Sequence, residues 1–288
     1  MRRFLLISGM AVLALAAVAG SAEAPGAPAD LISRGDALYD RWQGEFDLAA
    51  YETRLRGAIK KWEQALVALP AGETKLRARA WVSLARAYFE LAEVYLPDGE
   101  RRAAYVKGEA AAIAALRLDP EFARVEETLG FRAALGAASD VGAVFWYGNN
   151  LGRLLGYDFG RALFGGTRDV AAAFTRAVEL DEAYWGGGPH RALANFLTQT
   201  PGFLGGDQLR AGVHFARAIE LDPAFIQNYV DQAEFYARPR QEWDSFCRLL
   251  RLAFTLGADL ASVARWPLYN RLALARAQRL LAEGGHCP

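Results

Sequence analysis

Apolar residues recur at helical spacing along nearly all of the chain after residue 30, and the alternating pattern of strands is nearly absent. Asp30 is placed to cap a helix that runs through Trp42, and Asp47 to cap a longer helix that reaches Leu69 before Pro70. Further helices are predicted over residues 73–96, 100–118 and 243–256 and from Pro267 onward. The pattern therefore predicts an all-α fold.

One spacing occurs four times: a small residue, a bulky residue, a second small residue and a helix stop. This is the pattern of the second helix in a tetratricopeptide unit, and Trp81, Leu84, Ala85 and Tyr88 match the first helix. The intervals between copies exceed the roughly 34 residues of a regular array. We therefore predict one tetratricopeptide-like helical-hairpin solenoid over residues 30–284, with elongated, irregular repeats. The four copies are Ala58-Trp62-Ala65-Pro70, Gly108-Ala112-Ala115-Pro120, Val170-Phe174-Ala177-Glu182 and Ala211-Phe215-Ala218-Pro223.

The first residues are typical of an export signal. Arg2 and Arg3 precede an apolar run, and small residues end at Ala22, where we expect cleavage. Ala24 is the alternative cleavage site, and an uncleaved anchor is disfavoured because the run is marginal for spanning a bilayer. Residues 23–29 then form a flexible leader and residues 285–288 a tail. We expect a periplasmic protein, and no cysteine follows the run to accept a lipid.

Charge and motif content argue against several classes of function. Lys and Arg total 33, as do Asp and Glu, so nothing favours a nucleic acid partner. His190, His214 and His286 do not stand at metal-ligand spacing, and no G-x-S-x-G motif occurs. The glycine runs lack the strand and lysine of a phosphate loop. We therefore expect no metal, no cofactor and no catalysis.

The segment from Phe131 to Tyr157 is nearly free of charge, which predicts an apolar helix buried in the middle of the molecule. Two amides in it need explanation, because buried amides require hydrogen-bond partners. Two interpretations are open. Either one asparagine forms hydrogen bonds that fix a neighbouring segment, or the helix faces a water-filled or ligand-filled cavity. His190 likewise has two interpretations: it contacts such a ligand, or it has a structural role at the start of its helix. The candidate cavity residues are Trp146, Tyr147, Asn149, Asn150 and His190.

Two glycine-rich connections flank the next helix. The three glycines before Pro189 predict a tight turn with the proline in the first helical turn. Gly205 and Gly206 are expected to close one helix and Asp207 to cap the next. The same loops are candidates for docking a partner. The residues concerned are Trp185, Gly187, Gly188, Pro189, Pro201, Gly202, Gly205, Gly206 and Asp207.

The chain has two cysteines, Cys247 and Cys287. Export would place them where disulfides persist, and Gly284 and Gly285 allow the tail to fold back towards Cys247. We predict a disulfide between them; the alternative is a buried free thiol at Cys247 and a disordered Cys287.

Several runs together resemble the T-component of TRAP transporters. They are FWYGNNLGRLLG, LDEAYWGGGPHRALANFL, PGFLGGD with AGVHFARAIELDP, and the closing PLYNRLALARAQRLL. The resemblance implies an exported tetratricopeptide-like protein of an ATP-independent uptake system, a homotrimer with an internal channel or cavity. Its partner would be a periplasmic solute-binding protein, and a small apolar or organic-acid ligand would fit. Family members are often lipoproteins, whereas this sequence has no lipidation cysteine after its apolar run, a departure that argues against membrane tethering. The alternative function is a general envelope scaffold for another exported protein.

Overall fold

The all-α prediction is confirmed over residues 27–40, 47–258, 265–284 and 287, which a computed structural model describes and which contain no strand. The expected signal peptide, most of the leader, and His286 lie outside these residues. The amino-terminal half consists of α1 (Pro28–Tyr39), α2 (Leu48–Ala68), α3 (Thr74–Val94), α4 (Asp98–Leu116), α5 (Pro120–Leu129) and α6 (Phe131–Ala137).

Two predicted helix starts had different outcomes. Asp47 caps α2 and accepts a hydrogen bond from the backbone nitrogen of Ala49 at 2.9 Å. The prediction that Asp30 is a cap was wrong, because α1 already begins at Pro28, whose fixed φ suits a first helical turn. Asp30 lies inside that turn and pairs with Arg34 at 2.9 Å.

The remaining elements are α7 (Val141–Leu155), α8 (Phe159–Arg161), a π turn (Ala162–Gly166), α9 (Thr167–Asp181), α10 (Tyr184–Gln199), a 3₁₀ turn (Gly202–Leu204), α11 (Gln208–Leu221), α12 (Ile226–Asp231), a second π turn (Gln232–Ala237), α13 (Trp243–Ala258) and α14 (Pro267–Gly284). The apolar segment from Phe131 to Tyr157 is therefore divided between α6 and α7. The break occurs because Asp140 caps α7 and accepts a hydrogen bond from the backbone nitrogen of Ala143 at 2.9 Å.

Every small and bulky residue of the four repeat copies is buried. The helices pair as hairpins, with α1 against α2, α3 against α4, and α10 against α11. However, α7 also packs on α3, α4, α9 and α10, so contacts extend beyond sequence neighbours. The solenoid description therefore remains a prediction, although the burial of the repeat positions agrees with it.

Two hydrophobic clusters organise the described residues. The larger cluster takes its buried residues from α1 to α11 and includes Trp266 and Leu268 at the start of α14. The smaller cluster joins α12, α13 and the rest of α14. α14 therefore belongs to both clusters and connects them.

Cys247 and Cys287 are joined by a disulfide in this structure, with Cα atoms 5.5 Å apart. Cys247 lies in the buried face of α13, and Cys287 packs against the smaller cluster. The bond closes a loop across 40 residues that contains α14. It fixes the end of α14 to α13.

Replacing Cys287 with serine is expected to lower the stability of the exported protein by about 2–4 kcal/mol, because the unfolded chain loses a cross-link. Reductant should lower the melting temperature of the wild type to that of the variant. Alkylation without reductant should leave the wild type unmodified. Labelling of both thiols in the untreated wild type would contradict the disulfide.

Candidate functional site

A cavity of about 580 Å³ lies between α3, α7, α10 and α14, within the size range of small-molecule sites. Most of its wall is apolar or aromatic, which suits the burial of hydrocarbon. The bulky members of the wall include Phe89, Phe145, Trp146, Phe174, Phe196, Leu268 and Leu272.

The cavity has a closed end and a mouth. At the closed end the ring of Trp185 lies 5.6 Å from that of Trp146 and 5.8 Å from that of Tyr269, measured between centroids. From these residues α7, α10 and α14 all run towards exposed wall residues at their carboxyl ends: Arg153, Gln199 and Arg279. The mouth therefore lies towards the carboxyl ends of these helices, where Arg153 in the last turn of α7 opposes the negative end of that helix dipole.

Glu90 occupies the closed end and is 2% exposed. Its Oε1 accepts hydrogen bonds from the hydroxyls of Tyr39, at 2.5 Å, and Tyr269. Burial raises the pKa of Glu90, while the charge of Arg86 and the two hydroxyls act in the opposite direction. The carboxyl thus joins α1, α3 and α14 at one point.

A buried ionic group lies farther along the wall. Asp231 is 2% exposed, and its oxygens lie 3.6 Å from Nε of Arg191 and 2.9 Å from Nη1 of Arg276. Asn195 donates to the same carboxylate at 2.9 Å, and Arg191 donates to Oδ1 of Asn228 at 2.7 Å. Arg276 also pairs with Glu234, so two guanidinium groups meet two carboxylates here, and an anionic ligand would compete with these carboxylates for the arginine N–H donors.

The backbone of Trp185 has an unusual conformation, and its ring lies in the cavity wall. Its φ is 52° and its ψ 44°, a left-handed conformation that is uncommon for a bulky residue. Gly187 continues the turn at a φ of 73°, and a β-carbon there would approach the carbonyl oxygen of Ala218 to 2.8 Å. The glycine therefore lets α10 pack against α11.

The family model of the TRAP transporter T-component matches residues 85–286, a range that contains every residue named in the cavity wall. The chain belongs to the TRAP transporter T-component family. No curated protein sequence matches the chain significantly. Members of this family are accessory components of a transporter and are not known as enzymes. None of the helices in the described part of this T-component is both long and apolar enough to cross a bilayer.

Some of the candidate cavity residues line the cavity, and others face away from it. Trp146 and Asn149 line the cavity, whereas Tyr147, Asn150 and His190 do not, so the cavity expectation is corrected for these three. Tyr147 turns to the opposite side of α7, where its ring lies 5.2 Å from that of Phe131. The period of the helix separates neighbouring residues in this way.

Asn150 is fully buried and ties two helices together. It donates to the carbonyl oxygens of Ala85, at 3.1 Å on α3, and Trp146, at 2.8 Å. Gly108 on α4 leaves the space that its side chain fills. The interpretation in which one asparagine fixes a neighbouring segment therefore describes Asn150, and the cavity interpretation describes Asn149.

The loop residues also divide into two groups. Gly187, Gly188 and Pro189 are buried, which corrects their candidacy for docking and leaves them a structural role. Trp185 and Pro201 line the cavity. In the second loop Gly205 takes the left-handed conformation and Asp207 caps α11, as expected, while Gly202 and Gly205 remain exposed. Gly206 is close to the carbonyl oxygen of Thr200, so no β-carbon fits there.

His190 and His214 form a pair that their spacing in sequence did not predict. Their Nδ1 atoms lie 2.8 Å apart, and Nε2 of His190 lies 3.1 Å from Oε2 of Glu182. Burial, together with the charges of His190 and Arg210, lowers the pKa of His214 to about 4. Within the described residues no cluster of three or more metal-ligating side chains occurs.

Among the wall residues that the sequence analysis missed are Glu90, Arg191, Asp231 and Arg276. A signal existed for Glu90, because it lies between Phe89 and Leu91 in an apolar stretch of α3. The other three come from different helices of the carboxyl-terminal half. Their meeting depends on tertiary packing.

Replacing Asn150 with leucine is expected to cost about 1–3 kcal/mol, because a buried amide loses its hydrogen bonds between helices. Asn149 is the matched control, since its amide donates only to Phe145 of the same helix, at 2.8 Å, and faces the cavity. Asn149→Leu should cost less than about 0.5 kcal/mol. Chemical denaturation of both variants checks this, and equal losses would contradict the assignment.

The stability of the protein is expected to fall as the pH is lowered from about 6.5 to about 4, and the loss to be absent above that window. The unfolded chain protonates His214 at its ordinary pKa, whereas the folded protein does so at about 4. Melting temperatures measured across this range should fall less for His214→Gln. A fall of equal size in the variant would assign the effect to other groups.

Proposed function

We propose that this protein is a non-catalytic periplasmic accessory protein of a TRAP-type uptake system, which docks a periplasmic solute-binding protein and holds or passes a ligand through its cavity. The observation that carries the proposal is the cavity of about 580 Å³, whose wall lies entirely within the region matched to the T-component family. The periplasmic location follows from the expected export signal, and the trimeric assembly from the family resemblance.

The chemistry of the wall favours an organic acid with an apolar body. Aromatic and aliphatic side chains would bury hydrocarbon. Arg276 and Arg191 share Asp231, and exposed Arg279 lies at the mouth. A carboxylate near these groups would find charge-assisted hydrogen bonds. The ligand would therefore place its charge towards the mouth and its apolar part inside.

The rim of the mouth suits a protein partner. Phe159 lines the cavity yet is 69% exposed, and Phe164 in the adjoining π turn is 85% exposed. In the loop after α10, Phe203 is 76% exposed and is the sequence neighbour of wall residue Leu204. Exposed aromatic residues around an opening are typical of an interface. A solute-binding protein docked on this rim would have its own ligand opposite the cavity.

Docking is tested by calorimetry with purified proteins, using any TRAP-type solute-binding protein that the neighbouring genes encode. Phe159→Ser combined with Phe203→Ser is expected to weaken association at least tenfold, because the rim loses two apolar anchors. Leu129→Ser is the matched control, since Leu129 is 74% exposed on α5 and does not line the cavity. It should leave association unchanged.

Two outcomes would count against docking. If wild-type protein binds no solute-binding protein from neighbouring genes, the envelope scaffold becomes the better function, particularly where those genes serve the cell wall or secretion. If Leu129→Ser weakens association as much as the rim variant, the partner lies elsewhere on the surface.

A further inference from the structure

The closed end of the cavity contains a carboxyl oxygen with no partner among the residues that the structure describes. Oε1 of Glu90 accepts from both tyrosine hydroxyls, whereas Oε2 is buried and makes no hydrogen bond there. Holding Tyr39 and Tyr269 requires one oxygen, so the tether between helices does not account for the other. Native proteins rarely leave such a group unsatisfied, which indicates a function for it.

A second unpaired group lies at the same end. The indole Nε1 of Trp185 is buried and has no hydrogen-bond partner in the described part of the chain. The Trp185 ring packs edge-on against that of Tyr269, whose hydroxyl contacts Glu90, so the indole and the carboxyl belong to one group of contacts. Trp185 also has left-handed backbone angles, the kind of strain that proteins concentrate at functional sites.

We propose that the closed end is a subsite for a hydroxyl group at the apolar end of the ligand. This subsite deepens the proposed function and rests on the cavity ligand proposed there. Oε2 of Glu90 and Nε1 of Trp185 bind this hydroxyl. The ligand is then an elongated acid with its carboxylate towards the arginines and a hydroxyl group at the far end.

A hydroxyl fits these two groups better than an anion does. It both donates and accepts, so it pairs with the indole N–H and with the carboxyl in either protonation state. Burial raises the pKa of Glu90, which favours a neutral acid that donates from Oε2. Arg86 lies behind the wall, 3.7 Å from the centre of the Tyr39 ring, and is not a wall residue. The Arg86 guanidinium also lies 4.9 Å from the centre of the Trp185 ring, and its charge already acts on Glu90, so a second carboxylate at this end would compete with Glu90 for that cation.

The length of the cavity sets the distance between the two polar ends. Tyr269 marks the closed end of α14, while Arg276 and Arg279 follow it on the same wall. The helical rise of 1.5 Å per residue separates Tyr269 from these arginines by roughly 10 and 15 Å. A medium-chain acid has the reach to bridge this separation.

The experiment compares dodecanoic acid with its ω-hydroxy derivative on the full mature protein, by calorimetry. The wild type is expected to bind the hydroxy acid about tenfold more tightly, because the plain acid leaves both polar groups unpaired. Glu90→Leu should abolish that preference, and Trp185→Phe should reduce it by several-fold while keeping the tyrosine contacts. Glu90→Gln, which retains a hydrogen-bonding group, should keep most of it.

Glu93→Gln is the matched control, because Glu93 is also a cavity residue of α3 but pairs with Arg153 at 2.7 Å near the mouth. It should retain the full preference for the hydroxy acid. If the wild type binds both acids equally, or Glu90→Leu and Trp185→Phe both keep the preference, the hydroxyl subsite is overturned while the cavity ligand stands. If neither acid binds, the cavity ligand is overturned as well.

Discussion

Close packing around α7 is the constraint on which the rest of the structure depends. Helices α3, α4, α9 and α10 pack on it, and they approach because small residues leave room for large ones. A β-carbon at Gly148 would lie 2.6 Å from the ring of Phe174, and one at Gly108 would collide with Asn150. Asn150 fills the side of α7 that faces α4, whereas Phe174 packs on Gly148 within the cavity wall. The other side, with Trp146 and Asn149, is left to form the cavity wall.

The cavity combines an apolar body with two kinds of polar group that have different physical roles. At the mouth the arginines face exposed helix ends, and their charges are partly screened by water. Arg191 and Asp231 lie deeper and are buried, so removing Asp231 would leave the charge of Arg191 without its carboxylate, whereas Asp231 would keep Arg276 if Arg191 were removed. At the closed end the polar groups are hydrogen-bonding rather than paired charges. A ligand moving inward therefore passes from charge recognition to recognition by shape and hydrogen bonds.

The helical periodicity predicted most of the helices, and the repeat spacing identified positions such as Trp62 and Phe215, which are fully buried. Local chemistry also predicted the cap at Asp207 and the turn at Gly205. Local patterns could not show which side of α7 faces a cavity, because both sides are apolar. They could not place Glu90 beside Tyr269 either, since that contact joins residues 179 positions apart. Sequence alone therefore predicted the elements but only part of the site.

The contact between Glu90 and Tyr269 also bears on the order of folding. The closed end needs Tyr39 from α1, Glu90 from α3 and Tyr269 from α14. Contacts between residues so far apart carry a large loop-closure cost and form late, after the local hairpins. Because α14 is the last described helix to be synthesised, an intermediate that has folded only α1 to α11 lacks the Tyr269 contact that completes the closed end of the cavity. Binding competence and completion of the fold would then be acquired in the same step.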